Sequence, residues 1–203
     1  MSKVRTKPNQ VLPPADTDYF SFQLYVRALA GGIAGLAGGL AMLLFQVAAY
    51  ALLDQDPLMP VRLVGVALMG DSALLPSSYF WPIVTGVLVS AGMSAFLGAI
   101  FSTLLPPVEH RRSDVLWAFF YGAVIAAVMW FLLLPAGLNI ALLVRMPRDI
   151  FFIAHLVFGG VLGFLLPRIE SRLMRREFED RVPDLVVPKL TEDEKLSEQA
   201  RVG

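Results

Sequence analysis

Residues 28–53 read ALAGGIAGLAGGLAMLLFQVAAYALL, 26 positions without one charged side chain. As an α-helix rising roughly 1.5 Å per residue, the run is about 39 Å long, more than a hydrocarbon core of about 30 Å requires. In lipid every backbone N–H and C=O must be satisfied within the segment, so a helix is the form such a run takes. Three further uncharged runs lie downstream. One falls between Asp71 and Glu109, with its apolar heart at 81–105. The next starts at Val115 and reaches Leu134, where Pro135-Ala136-Gly137 closes the helix. The last, Ile150 to Leu166, sits at the short limit for a span, with Arg148 and Arg168 placed to snorkel. The fold class expected is an all-α membrane protein, a four-transmembrane-helix bundle with spans near 28–53, 81–105, 115–134 and 150–166.

Lys3, Arg5, Lys7 and Arg27 precede the first run, and Ala49-Tyr50-Ala51 mimics a signal-peptide cleavage site. The apolar core of a signal peptide is only about 7–15 residues, so this run reads as a retained span. Composition agrees. Of 203 residues 56% are hydrophobic and 17% charged, against roughly 25% charged in soluble domains. The 17 Lys/Arg and 17 Asp/Glu cancel, which removes the electrostatic case for a nucleic-acid partner. With no cysteine, this chain offers no disulfide, iron–sulfur cluster, thiolate zinc site or c-type haem attachment.

Lys and Arg counts outside the spans set an orientation. The N-terminal tail, second loop and C-terminal tail hold fourteen between them; the first and third loops hold three. Both termini are expected in the cytoplasm. Residues 1–27 form the N-terminal tail, ending in an interfacial aromatic segment with Tyr19, Phe20, Phe22 and Tyr25. The first external loop, Asp54 to Tyr79, carries the apolar piece Val61–Met69 between prolines. It is too short to span and reads as an interfacial or re-entrant helix capping the bundle; a lid over a site is the second reading. In the tail 168–203, Arg168 to Arg181 keeps Ile169, Leu173 and Phe178 on one side and reads as a helix continuing into the cytoplasm, with Arg168, Arg172, Arg175 and Arg176 where anionic headgroups would meet them. Val182–Pro188 is an extended strip, and Thr191-Glu192-Asp193-Glu194 fits a capping box. The tail reads either as a docking element for a partner or as a disordered acidic end.

Small residues recur every fourth position on all four spans: Gly31, Gly35 and Gly39; Gly86, Ser90, Ser94 and Gly98; Ala118 and Gly122; Gly159 and Gly163. Residues four apart share a helix face, and small side chains there let backbones approach, which is what associates helices in lipid. A tight bundle follows, with any surplus stripe open to another membrane subunit or a second copy. Residues 94–106 also align without gaps on 155–167. Two hairpins related by an axis along the membrane normal would produce this match, as would apolar low complexity.

Chemistry-bearing groups are sparse. No Asp, Glu or Lys lies within a span, which argues against a carboxylate proton relay or ion-coupled transport. The chain lacks HExxH, a Walker loop, a GxSxG elbow and metal-spaced histidines. Of its two histidines, His110 sits beside Arg111 in a short loop and His155 lies inside the fourth span. A buried imidazole needs a partner, and Ser90, Ser94, Tyr121 or Asn139 are the candidates. A structural interhelical hydrogen bond is the favoured role; cofactor binding to haem or quinone is the alternative, although bis-His haem would need a second histidine at depth. Gln46 and Asn139 are expected to pair locally, and Asp54, Asp56 and Asp71, with Arg62 between them, to be solvated.

The layout resembles the YagU-like small bacterial inner-membrane proteins in size, four spans, proline-rich first loop, proline-interrupted third loop and the His-bearing last helix, Asp149–Gly159. This resemblance implies a class and a bacterial inner-membrane location and lends no reaction. Together these readings favour a non-catalytic accessory or scaffold subunit of a larger membrane complex, with no cofactor. The alternatives are a small homo-oligomeric channel or transporter, whose polar path Ser90, Ser94, Asn139 and His155 would line, and a redox subunit using His155.

Overall fold

A computed structural model describes residues 17–75, 79–104, 111–137 and 139–181, with side chains from Gln23 to Arg175 apart from 111–114 and 143. Among the described residues the chain is helical, without strands. Its long helices are α1 (Thr17–Leu52), α3 (Phe80–Leu104), α4 (Arg111–Val128) and α6 (Arg148–Arg181). Two short helices lie in the connections, α2 (Met59–Met69) and α5 (Ile140–Arg145). Among the described residues four segments are long and apolar enough to cross a membrane: Gln23–Leu52, Phe80–Leu104, Val115–Leu133 and Arg148–Arg175. The expected readings of His110, the 182–188 strip and the 191–194 capping box, and of the side chains of Tyr19, Phe20, Phe22 and Arg176, lie outside the described residues.

Two helices run past the uncharged segments. The aromatic segment before Arg27 is helical and continuous with the first span, because α1 runs unbroken from Thr17. α6 continues through Pro167 to Arg181, which is the helical extension expected beyond the fourth uncharged run. Charge marks where lipid exposure ends, whereas a helix continues as long as its backbone bonds can form. Pro167 removes a single donor.

Packing follows the small residues. On α1 one stripe, Gly31, Gly35 and Gly39, faces Ser94, Gly98 and Ser102 of α3. The neighbouring stripe, Ala30, Ala34 and Gly38, faces α6, with Gly38 against Phe158. Gly122 of α4 and Gly159 of α6 meet across a third crossing. The two hairpins share one contact pattern. A Cβ on Gly98 would strike the Gly31 carbonyl and the Gly35 Cα, and one on Gly159 the Ala118 carbonyl. Likewise, a Cβ on Gly35 would strike the Ser94 carbonyl and the Gly98 Cα, and one on Gly122 the His155 carbonyl and the Gly159 Cα. Ser94 and Gly98 are the residues that align on His155 and Gly159, so α1–α2–α3 and α4–α5–α6 are built alike.

The units are not joined symmetrically. The helices form an arc in the order α3, α1, α6, α4. Antiparallel α1 and α6 pack along their lengths, but α3 and α4 do not. They are bridged where the Tyr121 hydroxyl donates to the Leu97 carbonyl at 2.8 Å and its ring lies 4.9 Å from Phe101.

At the other end α2 and α5 form a cap. Gly65 lies against the Pro82 carbonyl and Gly86 against the Val61 carbonyl, seating α2 on α3. Asn139 accepts from Leu142 N–H at 3.0 Å, capping α5, while its amide donates to the Leu63 carbonyl at 2.6 Å. Tyr50 donates to the Arg145 carbonyl at 3.3 Å. Beneath these bonds Tyr50, Leu63, Leu134, Leu142, Ile150 and Phe151 form an apolar core.

Gly98→Ile should destabilise the bundle by at least about 1–3 kcal/mol, because the added atoms meet backbone on α1. Gly92→Ile, where a Cβ meets nothing within 4 Å, should leave it unchanged. Unfolding in mild detergent, followed by circular dichroism, compares the two; equal midpoints would contradict the packing described.

Candidate functional site

The gap between α3 and α4 encloses a cavity of about 220 Å³. Ser90, Met93, Ser94 and Leu97 of α3 form one wall, and Ile125 and Met129 the other. Met42 of α1 and His155 and Phe158 of α6 form the back, and Val64, Ala67, Asn139 and Leu142 the roof. Tyr121 closes the end opposite the cap. The lining is almost wholly apolar, and the cavity lies where α3 and α4 do not pack against each other.

Met129 enters this wall through a local change in helix type. After Val128 the chain makes a π-helical turn, Met129–Leu133, in which Leu134 N–H reaches the Met129 carbonyl at 2.9 Å. The cause lies one residue on: Pro135 has no N–H, and its ring would press on the carbonyl four residues back. The wider turn ends α4 at the position expected for Pro135. Single π turns frequently mark functional sites.

His155 is 8% exposed. Its Nδ1 lies 2.8 Å from the Phe151 carbonyl, and the two rings are 4.3 Å apart. The expected partners Ser90, Ser94, Tyr121 and Asn139 do not serve it, which corrects the interhelical hydrogen bond anticipated from sequence. Tyr121 and Asn139 are committed elsewhere. A carbonyl on the preceding turn of the same helix is always in reach, so a partner from another helix is not required. A carbonyl oxygen only accepts, so Nδ1 carries the proton and Nε2 presents a lone pair. No hydrogen bond to Nε2 is found among the described residues, and His155 is one of the residues that line the cavity. The His155 backbone is in turn held by Gly122 of α4, which fixes the ring's position.

Ser90 and Ser94 share the cavity, and neither hydroxyl is hydrogen-bonded to the imidazole. Ser90 is half-buried, whereas Ser94 is buried against Gly39. Gly163 is buried on α6. Arg172 and Arg175 are exposed; Arg168 folds back, its guanidinium 3.7 Å from the Phe164 ring centroid and donating to the Phe164 carbonyl. Arg27 pairs with Glu170 at 3.3 Å, tying α1 to α6. Gln46 is buried.

Sequence reasoning missed Arg62. Expected among solvated loop charges, it is only 7% exposed and anchors the roof. Its Nε and Nη2 donate to the Ala73 carbonyl at 3.3 and 3.2 Å, Nη2 also reaches Leu75 O at 3.2 Å, and Nη1 lies 3.5 Å from Asp56. Asp56 also accepts from Leu58 N–H at 3.0 Å and the Tyr79 hydroxyl at 3.3 Å. A lone arginine inside the otherwise uncharged Val61–Met69 piece was the available signal, since a charge is retained in apolar surroundings only with partners. The methionine lining was also unread, because methionine is ordinary core filling until helices are placed.

Comparison with protein-family models, with curated proteins and with solved structures finds no match for this chain.

Arg62→Met keeps the length of the side chain and removes every donor. Amides of residues 70–75 should exchange hydrogen about tenfold faster or more, reflecting local opening of the turn after α2. Unchanged protection there would show that Arg62 does not hold the roof.

Proposed function

We propose that this chain is a multi-pass protein of the bacterial inner membrane with both termini cytoplasmic. It acts without catalysis, as an accessory subunit that offers the α3/α4 cleft to a lipid-soluble guest within a larger membrane assembly. One observation carries the reading: α1 and α6 close their shared interface, but α3 and α4 leave theirs open onto a cavity where a buried imidazole holds an unused acceptor. A bundle selected only to fold would gain dispersion energy by closing both interfaces. Binding suits the site better than reaction. Acid–base and nucleophilic chemistry need positioned, hydrogen-bonded pairs, and here the candidate groups stand apart.

The orientation rests on the fourteen-to-three division of Lys and Arg. In that orientation α2 and α5 lie at the outer face, and the short α2 is an interfacial cap. The organisational resemblance to YagU-like proteins supports the same membrane and class. The channel reading draws support from Ser90, Ser94, Asn139 and His155, which do line one cavity. A through-path would have to break both the Tyr121–Leu97 bond and the Asn139–Leu63 bond, whereas lateral access requires neither.

The chain has no cysteine, so single substitutions test the orientation directly. Asp71→Cys should react with an impermeant maleimide in intact spheroplasts, and Ser197→Cys only after lysis; the reverse order would overturn it. Gentle purification with mass spectrometry should return distinct subunits at fixed ratio. A homo-oligomer without partners would end the accessory reading and turn attention to flux.

A further inference from the structure

We infer that the guest of the α3/α4 cleft is a lipid-soluble aromatic alcohol of the hydroquinone or phenol class, bound through its ring hydroxyl to Nε2 of His155. The inference deepens the proposed binding role and rests on it.

Polarity comes first. Because the Phe151 carbonyl claims the proton on Nδ1, Nε2 can only accept. A guest that satisfies it must bring a donor, so a hydroxyl fits and a carbonyl does not: two lone pairs would face each other at a site shielded from water. Shape comes second. A cavity of about 220 Å³ is larger than the roughly 150 Å³ that accepts benzene in an apolar core, so it takes one substituted ring. A tail on that ring would leave between α3 and α4 into the acyl chains. The lining comes third. Met42, Met93 and Met129 surround the space together with Phe158, and thioethers make favourable contacts with aromatic edges and adapt to ring substituents. No charged side chain lines the cavity, so the guest is neutral. Ser90 and Ser94 add hydroxyls that can serve a second oxygen on the ring.

The test uses the full chain, purified on a tag without histidine and held in nanodiscs of phosphatidylethanolamine and phosphatidylglycerol. A short-chain alkyl hydroquinone and the quinone of the same skeleton, kept anaerobic, differ in the donor and hardly in shape. The hydroquinone should bind at least about tenfold more tightly, the effect of leaving one buried acceptor unpaired. It should also move the ¹⁵Nε2 resonance of His155 toward a hydrogen-bonded value. With only two histidines in the chain, His110→Gln assigns that signal. His155→Phe should retain weak binding of both probes and lose the preference. Equal or tighter binding of the quinone overturns the inference. If Ser90→Phe, which fills the cavity, still abolishes binding in that case, the cleft reading survives. If neither probe binds and Ser90→Phe changes nothing, both readings fall together. Diacylglycerol carries a hydroxyl on an acyl lipid without a ring. Failure to displace the hydroquinone supports the aromatic assignment, and displacement at equal concentration overturns it.

Discussion

The close approach of backbone to backbone at the helix crossings is the constraint on which the rest of this protein depends. Water supplies no hydrophobic drive between helices already in lipid, so association rests on dispersion and weak Cα–H···O contacts, both steep in distance. Gly31, Gly35 and Gly98 bring α1 to α3, and Gly122 and Gly159 bring α4 to α6. At each crossing a carbonyl of one helix occupies the space a Cβ would take on the other. This contact sets the positions of Ser94 and His155, because the carbonyls of these two residues are the ones gripped by Gly35 and Gly122.

The same rule explains why the arc has an open side. α1 carries two small-residue faces, one for α3 and one for α6, and so sits at the centre. α4 has one such face, spent on α6. Toward α3 it presents Tyr121, Ile125 and Met129, side chains too large for a glycine crossing. The two helices are held apart and joined at a single polar bridge. The cap then prevents collapse: α2 is seated on α3 through Gly65 and Gly86, and Asn139 holds it to α5. Arg62 braces the following turn by three bonds to carbonyls, and Asp56 balances its charge.

The cleft gains its chemical character from an economy within α6. His155 meets its own proton's need one turn back, at Phe151. That leaves the outward nitrogen with a defined polarity in apolar surroundings. Had Ser94 or Tyr121 supplied a donor, the imidazole would have been a structural strut between helices. Tyr121 instead bonds across to Leu97, and the imidazole of His155 is left among the residues that line the cavity.

What the sequence determined by itself is whatever depends on local transfer energies. Uncharged length specified four membrane-capable helices, and their limits agree closely at 80–104 and 115–133, where charge and helix end together. Four-residue spacing identified the packing faces, since periodicity fixes which residues share a side. The alignment of 94–106 on 155–167 left two related hairpins and apolar low complexity equally open, and the matching contacts of Gly98 and Gly159 appear only in the packed bundle. Where charge and backbone part company, as at Thr17 and beyond Pro167, the helix outruns the uncharged run, and for 168–181 the mixed Arg/Glu pattern with one apolar side already announced it. Only the tertiary structure decided which interface stays open, that Ser90, Ser94, Asn139 and His155 share one cavity, that Arg62 is buried, and that the histidine bonds within its own helix. Each of these turns on which helix neighbours which, and a stripe of small residues states that a face will pack without naming its partner.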